Sequence, residues 1–245
     1  MKILVCITHV PDTTSKISFV ENNTKFNSSG VQYIIGPYDE YALSKAVDMK
    51  ESHGAEVTVL HVGNSEADAT IRKALAIGAD RAVRIDAFAT DAFFVATQIA
   101  EYAKDKNYDL ILMGRESIDF NGGMVHGMVG ELLNIPSISP IMKLEVNKGK
   151  ATVAREIEGG KEFLEVPLPF VAGCQEPIAE WKIPNMKGIM TAKSKPLEVI
   201  AAVQSDELVT YNSFDLPPAK QGCKMVDAAE PQKLVELLKN EAKVI

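Results

Sequence analysis

Over the first 114 residues, the hydrophobic and polar positions follow two alternating patterns. Short apolar runs rich in β-branched residues, such as "ILVCIT", indicate strands buried on both faces, as in parallel sheets. Longer segments with apolar residues at helical spacing separate these runs. The predicted strands cover residues 3–8, 57–63, 81–86 and 108–114, and the helices between them end at Gly54, at Gly78 and near Lys104.

This alternation predicts the fold class. Repeated strand–helix pairs with short connections are typical of a parallel, doubly wound α/β sheet. Sheets of this kind bind ligands at the carboxyl ends of their strands. We therefore expect a binding site in the loops that follow the strands, at residues 9–12, 63–64 and 114–123.

The pattern changes after Pro140. The following segment alternates apolar and polar residues, with the turn signals "NKGK" and "EGGK", and predicts antiparallel strands added to the sheet. From Cys174 onward prolines are frequent, which predicts an extended arm with few elements of its own except a last helix over 231–243. The predicted domains are an α/β domain, 1–173, and a partner-binding arm with a recognition loop and a C-terminal helix, 174–245.

Composition narrows the class of protein. Hydrophobic residues make up 46% of the 245 residues, which is enough for a substantial core. The net charge of −7 argues against a general attraction to nucleic acid. The three cysteines have neither metal-ligand nor disulfide-framework spacing, which favours a reducing compartment. No apolar stretch approaches the ~20 residues of a membrane span, so we expect a cytoplasmic protein without membrane insertion.

The stretch "MGRESIDFNGGMVHGMVGELL" carries the strongest chemical signal. Gly122 and Gly123 lie where a strand passes into a helix beginning near Met124. They either form a plain tight turn or bring backbone N–H groups to a phosphate at the helix N-terminus, and spacing alone leaves both readings open. The stretch is neither a Walker loop nor G-x-G-x-x-G. Asp119 either caps this helix, which its spacing favours, or holds a ribose.

A second stretch, residues 181–197, combines apolar side chains with lysines around Pro184, which forbids one continuous helix. This composition suits either a solvated edge or a surface that binds a partner.

Five segments, in order, resemble the beta subunit of the electron transfer flavoproteins. They are "KILVCITHVPDT", "GPYDEYALSKAV", "IRKALAIGADRAVRI", "AREIEGGKEFLEVPLPFV" and "GIMTAKSK". The resemblance implies an adenine-nucleotide-binding α/β domain that forms a heterodimer with an alpha subunit. That subunit holds most of an FAD, and the beta subunit holds AMP or a second FAD. It also implies electron transfer from flavin-dependent dehydrogenases to a downstream acceptor, with no substrate chemistry in the beta subunit itself.

The resemblance also assigns roles to residues. Thr13 and Tyr38 fall near the alpha-bound flavin, and Met186 falls at the anchor for the partner dehydrogenase, with Ile183, Ile189 and Lys193 beside it. The predicted adenosine and phosphate residues are Cys6, Gly36, Val62, Asp119, Asn121, Gly122, Gly123, Met124 and Val125.

The sequence departs from the family pattern at the nucleotide. Gly36 replaces the usual asparagine, and "NGGMV" replaces Asp-Thr-Gly-Gln-Val, so a hydroxyl and an amide are missing. Each hydrogen bond to a charged phosphate contributes roughly 1.5–3 kcal/mol. We therefore expect main-chain donors to carry more of the binding. The segment before Ile189 is also about four residues longer than usual, which shifts the anchor position by a residue or two.

Two other classes of protein share this α/β pattern. A stand-alone nucleotide-binding stress or signalling module would share the α/β core, but the arm 174–245 argues against it. An ATP-cleaving enzyme of similar fold needs a Ser-Gly-Gly-x-Asp-Ser loop after the first strand, and "THVPDTTSK" is not one.

Overall fold

The computed structural model describes residues 1–89, 91–219 and 222–245. Its strands are β1 (Lys2–Cys6), β2 (His9–Pro11), β3 (Phe19–Val20), β4 (Lys25–Phe26), β5 (Tyr33–Ile35), β6 (Glu56–Val62), β7 (Arg81–Asp86), β8 (Leu110–Gly114), β9 (Ser137–Asn147), β10 (Lys150–Ile157), β11 (Gly160–Pro167), β12 (Phe170–Cys174) and β13 (Leu197–Ala201). Its helices are α1 (Pro37–His53), α2 (Asp68–Ile77), α3 (Ala92–Ala103), α4 (Val125–Leu133), α5 (Met186–Ala192) and α6 (Pro231–Glu236).

The four apolar runs form neighbouring parallel strands of one sheet. The strand order is β11-β10-β9-β12-β8-β1-β6-β7-β13, and the pairs from β9–β12 through to β7–β13 are parallel. In the centre, Val5 pairs with Val59 on one side and Leu112 on the other. Both faces are covered, because α1, α2 and α5 pack on one and α3 and α4 on the other. The prediction of a doubly wound α/β sheet is confirmed.

The antiparallel addition is also confirmed. Strands β9, β10 and β11 pair antiparallel to one another at one edge of the sheet. The predicted turns contain Gly149 and Gly159, which both adopt φ of +80°, a left-handed conformation that suits glycine.

Two details of the central region depend on local chemistry. The C′ residue of α1, Gly54, has φ of +66°, as its position in the sequence predicts. The chain between β6 and α2 forms a 3₁₀ turn, Ser65–Ala67, capped by Asn64, whose side chain accepts from the Glu66 N–H at 3.0 Å. Ser65, which its place before the helical pattern predicts as the N-cap of the second helix, lies inside this turn instead, and Asn64 supplies the acceptor.

The arm holds more regular structure than its prolines indicate. Strand β13 pairs with β7 in parallel from Leu197 to Ala201 and becomes the ninth strand of the sheet. The prediction of few elements before the last helix missed both β13 and α5. The last helix begins at Pro231, as predicted, and continues as a π-helix over Leu237–Ala242.

Contacts divide the chain into two compact units. The first contains 1–16 and 27–212, and the second contains 17–26 and 213–245. Residues 174–212 fall in the first unit by these contacts, and the division at residue 173 stays a prediction. In the second unit Phe19 stacks on Phe214 with ring centroids 5.2 Å apart, and the Phe214 N–H donates to the Asn23 carbonyl.

Within the described ranges, no helix combines the length and apolar character required to cross a membrane.

Candidate functional site

A cavity of about 610 Å³ lies at the carboxyl ends of β1, β6, β7 and β8. Its walls are the loops that follow these strands, including all three segments in which the topology predicts a site. Its volume is in the usual range for small-molecule sites, about 300–1,000 Å³. The sheet therefore presents one crevice where the sequence places its chemical signals.

Most predicted cofactor residues meet at this cavity. Gly36 lies behind the wall, beside Thr8, and Tyr38 lies beneath Arg115, which lines the cavity. Thr13 is exposed and is not among the lining residues. Eight others line it: Cys6, Val62, Asp119, Asn121, Gly122, Gly123, Met124 and Val125.

The loop after β8 is closed by its own backbone. Ser117 and Gly122 exchange two hydrogen bonds, N to O, at 2.9 and 3.1 Å, and Asn121 between them has φ of +50°. The Gly122 N–H therefore already has a carbonyl partner in the turn. For this glycine the structure shows the plain-turn alternative, so main-chain phosphate donors have to come from residues nearer the helix.

Helix α4 begins at the cavity without a side-chain cap. Its N-cap residue is Met124, and the first turn contains no acidic residue. The first N–H groups of any α-helix lack intrahelical partners, and the positive end of its dipole favours an anion. Asp119 does not cap this helix, because its carboxylate accepts from the Ser117 hydroxyl and the Phe120 N–H instead. The helix start is thus open to a negatively charged ligand.

A buried carboxylate fixes the strand ends beneath the cavity. Asp39, in the first turn of α1, accepts from the Thr8 N–H at 2.8 Å and the Thr8 hydroxyl at 2.6 Å through one oxygen. Its other oxygen accepts from the Gly114 N–H at 2.7 Å. Burial raises the pKa of Asp39 to about 6, and the three hydrogen bonds act in the opposite direction. Asp39 thereby joins α1 to the ends of β1 and β8.

Two imidazoles line the cavity near β1 and β6. His61 is buried, and its Nδ1–H donates to the Ile7 carbonyl at 2.9 Å. Burial lowers the pKa of His61 to about 4, so the ring is neutral at pH 7. His9 stacks on Tyr33 at 4.3 Å, with Nδ1 2.8 Å from the Thr70 hydroxyl, and burial lowers its pKa as well.

Arg115 is the cationic side chain on the cavity lining. Its guanidinium lies 4.8 Å from the centroid of the Tyr38 ring and donates to the side-chain amide oxygen of Gln175 at 2.9 Å. It also forms an ion pair with Glu116 at 3.5 Å. Nearby carboxylates of Glu66, Glu116 and Asp119 also line the cavity. An anionic ligand is therefore best placed between Arg115 and the start of α4.

Sequence reasoning did not assign a cofactor role to several lining residues. They include Asp39, His9, His61, Arg115, Phe88 and Tyr211. His61 lies inside an apolar run, which predicts a buried strand position and no ligand contact. Tyr211 is 90 or more residues away in sequence from the loops that it contacts. A usable signal existed for His9 and Arg115, each of which directly follows a predicted strand.

A second site candidate is the predicted partner-binding segment. Helix α5 begins after Pro184, with Asn185 as its cap accepting from the Gly188 N–H at 2.8 Å. The apolar side chains of Ile183 and Met186 are 71% and 75% exposed, and Ile189 is 48% exposed. Lys193 follows the helix and is also exposed.

The segment is firmly attached to α2 despite its exposed apolar face. Arg72 donates to the carbonyls of Ala192 and Lys195 at 2.9 and 2.7 Å. The Lys195 ammonium donates in turn to the carbonyls of Leu75 and Ala79 at the end of α2. These hydrogen bonds therefore fix in place the helix that carries the exposed apolar side chains.

A doubly wound sheet with a ligand-sized crevice at its carboxyl edge defines the class, an α/β protein whose cavity between the loops has the size of a small-molecule site. A family model described as electron transfer flavoprotein domain matches residues 24–205. The chain is 38% identical to the electron transfer flavoprotein subunit beta of Bacillus subtilis (strain 168), with all of both chains covered.

Two further relatives show the same match. The subunit beta of Syntrophomonas wolfei subsp. wolfei is 39% identical, covering 100% of this chain and 98% of the relative. The mitochondrial subunit beta of Arabidopsis thaliana is 32% identical, covering all of both chains. The chain belongs to the electron transfer flavoprotein family, as its sequence motifs predict.

We predict that Asp39→Asn lowers the free energy of unfolding at pH 7 by about 2–3 kcal/mol. An amide has one acceptor oxygen, so at least one buried donor from Thr8 or Gly114 loses its partner, at a cost of about 1–3 kcal/mol each. Urea denaturation of the purified protein measures the change. Asp105→Asn, an exposed aspartate, is the control, and equal losses in both variants would contradict the role of Asp39.

We predict that His61 makes stability depend on pH. Its folded-state pKa, about 4, lies below the ordinary 6.5, so the stability that it contributes is present above pH 6.5 and is lost as the pH falls towards 4. Between pH 7 and 5 the unaltered protein should lose about 2 kcal/mol more than His61→Gln. Asp39 has the opposite sign, but it is present in both proteins and cancels. Denaturation at both pH values measures the difference, and parallel curves would contradict it. The exposed His53→Gln serves as the control.

Proposed function

We propose that this chain is the beta subunit of an electron transfer flavoprotein and works as a heterodimer with an alpha subunit. The observation that carries the proposal is the match over the full length of relatives named subunit beta. The full-length match also argues against a stand-alone signalling module, because the match covers the arm, residues 174–245, which such a module lacks. In this function the chain passes electrons from flavin-dependent dehydrogenases to a downstream acceptor.

The chain acts in this proposal as a carrier subunit without substrate chemistry of its own. Two cavity groups with strongly shifted pKa values, Asp39 and His61, are engaged by backbone. Asp39 accepts from Thr8 and Gly114, and His61 donates to Ile7. A group committed in this way holds strand ends in place and is poorly placed to move protons to and from a substrate.

The cofactors in this proposal are FAD, held mainly by the alpha subunit, and AMP or a second FAD in the cavity. Three observations support a fit to a nucleotide phosphate: the uncapped start of α4, the guanidinium of Arg115, and open space at Gly122, where an added Cβ would meet nothing within 4 Å. Cys6 and Val62 at the strand ends line the adenosine portion. FAD supplies the electron-carrying ring, and this chain's residues orient the nucleotide and exclude water.

The proposed partner contacts rest on which side chains are exposed to solvent. Thr13 is exposed, which suits its proposed place towards the alpha-bound flavin. Tyr38, whose ring lies against the Arg115 guanidinium, has the same proposed place. Met186, with Ile183, Ile189 and Lys193 around it, forms the proposed anchor for a dehydrogenase. Exposed apolar side chains on a rigidly attached helix are suited to docking, because little conformational freedom is lost when they bind.

We predict that the co-purified heterodimer releases an adenine nucleotide from this chain's cavity. After denaturation, chromatography should find FAD plus AMP, or close to two FAD per heterodimer. Arg115→Ala should reduce the cavity nucleotide about tenfold relative to Lys148→Ala, because a charged hydrogen bond to phosphate contributes roughly 1.5–3 kcal/mol. A single FAD and no other nucleotide in the unaltered complex would remove the cofactor assignment.

We predict that Met186→Ala lowers kcat/KM for reduction of the heterodimer by its flavin-dependent dehydrogenase roughly tenfold, since an apolar anchor contributes about 1–2 kcal/mol. The change should appear mainly in KM, and the flavin content should equal that of the unaltered protein. Met225→Ala, an equally exposed methionine outside the segment, is the matched control. Equal kinetics for Met186→Ala and the parent would show that the anchor lies elsewhere.

A further inference from the structure

After β13 the chain continues over residues 202–212 without regular secondary structure, and residues 203–211 are called the strap. Its first attachment is a reciprocal pair of hydrogen bonds with Gln98 on α3. The Gln98 amide donates to the Val203 carbonyl at 2.9 Å and accepts from the Val203 N–H at 2.8 Å. Gln98 is 1% exposed, so this end of the strap is fixed to the body of the helix.

The second attachment is at the start of α3, on the cavity wall. One oxygen of Asp91 caps the helix by accepting from the Phe94 N–H at 2.7 Å. The other accepts from the Leu208 and Val209 N–H groups at 2.6 and 2.8 Å. Asp91 lines the cavity and is buried, so the strap passes directly over the cavity edge at this point.

The third attachment is an aromatic stack at the opposite side. Tyr211 stacks on Phe120 with ring centroids 4.9 Å apart and an interplanar angle of 26°. Phe120 belongs to the closed turn between Ser117 and Gly122, next to the start of α4. Both rings line the cavity. The strap therefore joins the start of α3 to the loop before α4, where the anionic part of a ligand is expected.

We propose that the strap retains the nucleotide in the cavity and that the Phe120–Tyr211 stack is its latch. The proposal rests on the proposed function, because it takes the ligand to be an adenine nucleotide. In the two inner attachments the buried side chains of Gln98 and Asp91 hydrogen-bond to backbone groups of the strap, so we treat them as fixed. The stack is partly exposed, with Phe120 57% accessible, and it is the attachment that can open without exposing buried polar groups.

The size of the effect follows from the kind of contact. An aromatic pair contributes enough free energy to shift an equilibrium by about 3- to 10-fold. A latch of this strength keeps the strap mostly closed and still lets the nucleotide exchange. Its loss should shorten the lifetime of the bound nucleotide while leaving the sheet and the flavin in the alpha subunit unchanged.

The test measures nucleotide release from the intact heterodimer. The complex is loaded with radiolabelled AMP and chased with excess unlabelled AMP, and retained label is counted over time. Tyr211→Ala and Phe120→Ala should each release AMP about 3- to 10-fold faster than the parent. Tyr211→Phe keeps the stacked ring and should release AMP more slowly than Tyr211→Ala. Phe163→Ala, an exposed aromatic on β11 outside the cavity lining, is the control.

The double variant separates a latch from two independent ligand contacts. If the rings act as one latch, Phe120→Ala with Tyr211→Ala releases AMP no faster than the faster single variant. Multiplied effects in the double variant, or parent rates in both single variants, overturn the proposal.

A measurement that does not use nucleotide distinguishes failure of the strap proposal from failure of the cofactor proposal. If the unaltered complex does not bind AMP, hydrogen exchange of residues 204–212 decides on the strap, and the cofactor assignment fails only if a second FAD is absent as well. Faster exchange in Tyr211→Ala than in the parent supports the latch. Equal exchange in both proteins overturns it.

Discussion

A single buried carboxylate, Asp39, sets the geometry on which the cavity depends. Its two oxygens accept three hydrogen bonds from Thr8 and Gly114, at the ends of two neighbouring strands. An ionised group taken out of water is costly unless such partners satisfy it. The same carboxylate explains two glycines, because a Cβ at Gly36 or Gly114 would come within 2.5 or 2.7 Å of an Asp39 oxygen. The absence of a side chain at Gly36 therefore makes room for the carboxylate that holds the strand ends.

The two helix starts at this edge differ in a way that bears on function. Helix α1 has Asp39 and Glu40 in its first turn, so acidic side chains of the chain itself complement its dipole. Helix α4 has no acidic residue in its first turn and no side-chain cap. Asp119, which is close enough in sequence to serve, instead closes the turn before the helix. The start of α1 is therefore complemented by the chain's own carboxylates, whereas the start of α4 has no such side chain in its first turn.

The sequence predicted the framework well, because strands buried on both faces leave continuous apolar runs. It missed β13, where Leu197–Ala201 is half-exposed at the sheet edge and follows Pro196, so neither an apolar run nor a clean alternation marks it. For the cavity, topology located the loops correctly. It could not identify His61, whose position within an apolar strand indicates core packing, nor Tyr211, which reaches the cavity through a tertiary contact with Phe120. Contacts between residues far apart in sequence have no periodic signature.

The closed turn changes how the cavity can hold a charged ligand. Gly122 uses its N–H within the turn, and Asp119 adds a carboxylate to a lining that already contains Glu66 and Glu116. Arg115 and the start of α4 therefore face most of the electrostatic task, with fewer side-chain donors than the family pattern provides. A site with few donors depends more on excluding water, since each remaining interaction is stronger in a low-dielectric surrounding. In the proposed function the strap supplies that exclusion, together with apolar lining residues such as Phe88 and Val95.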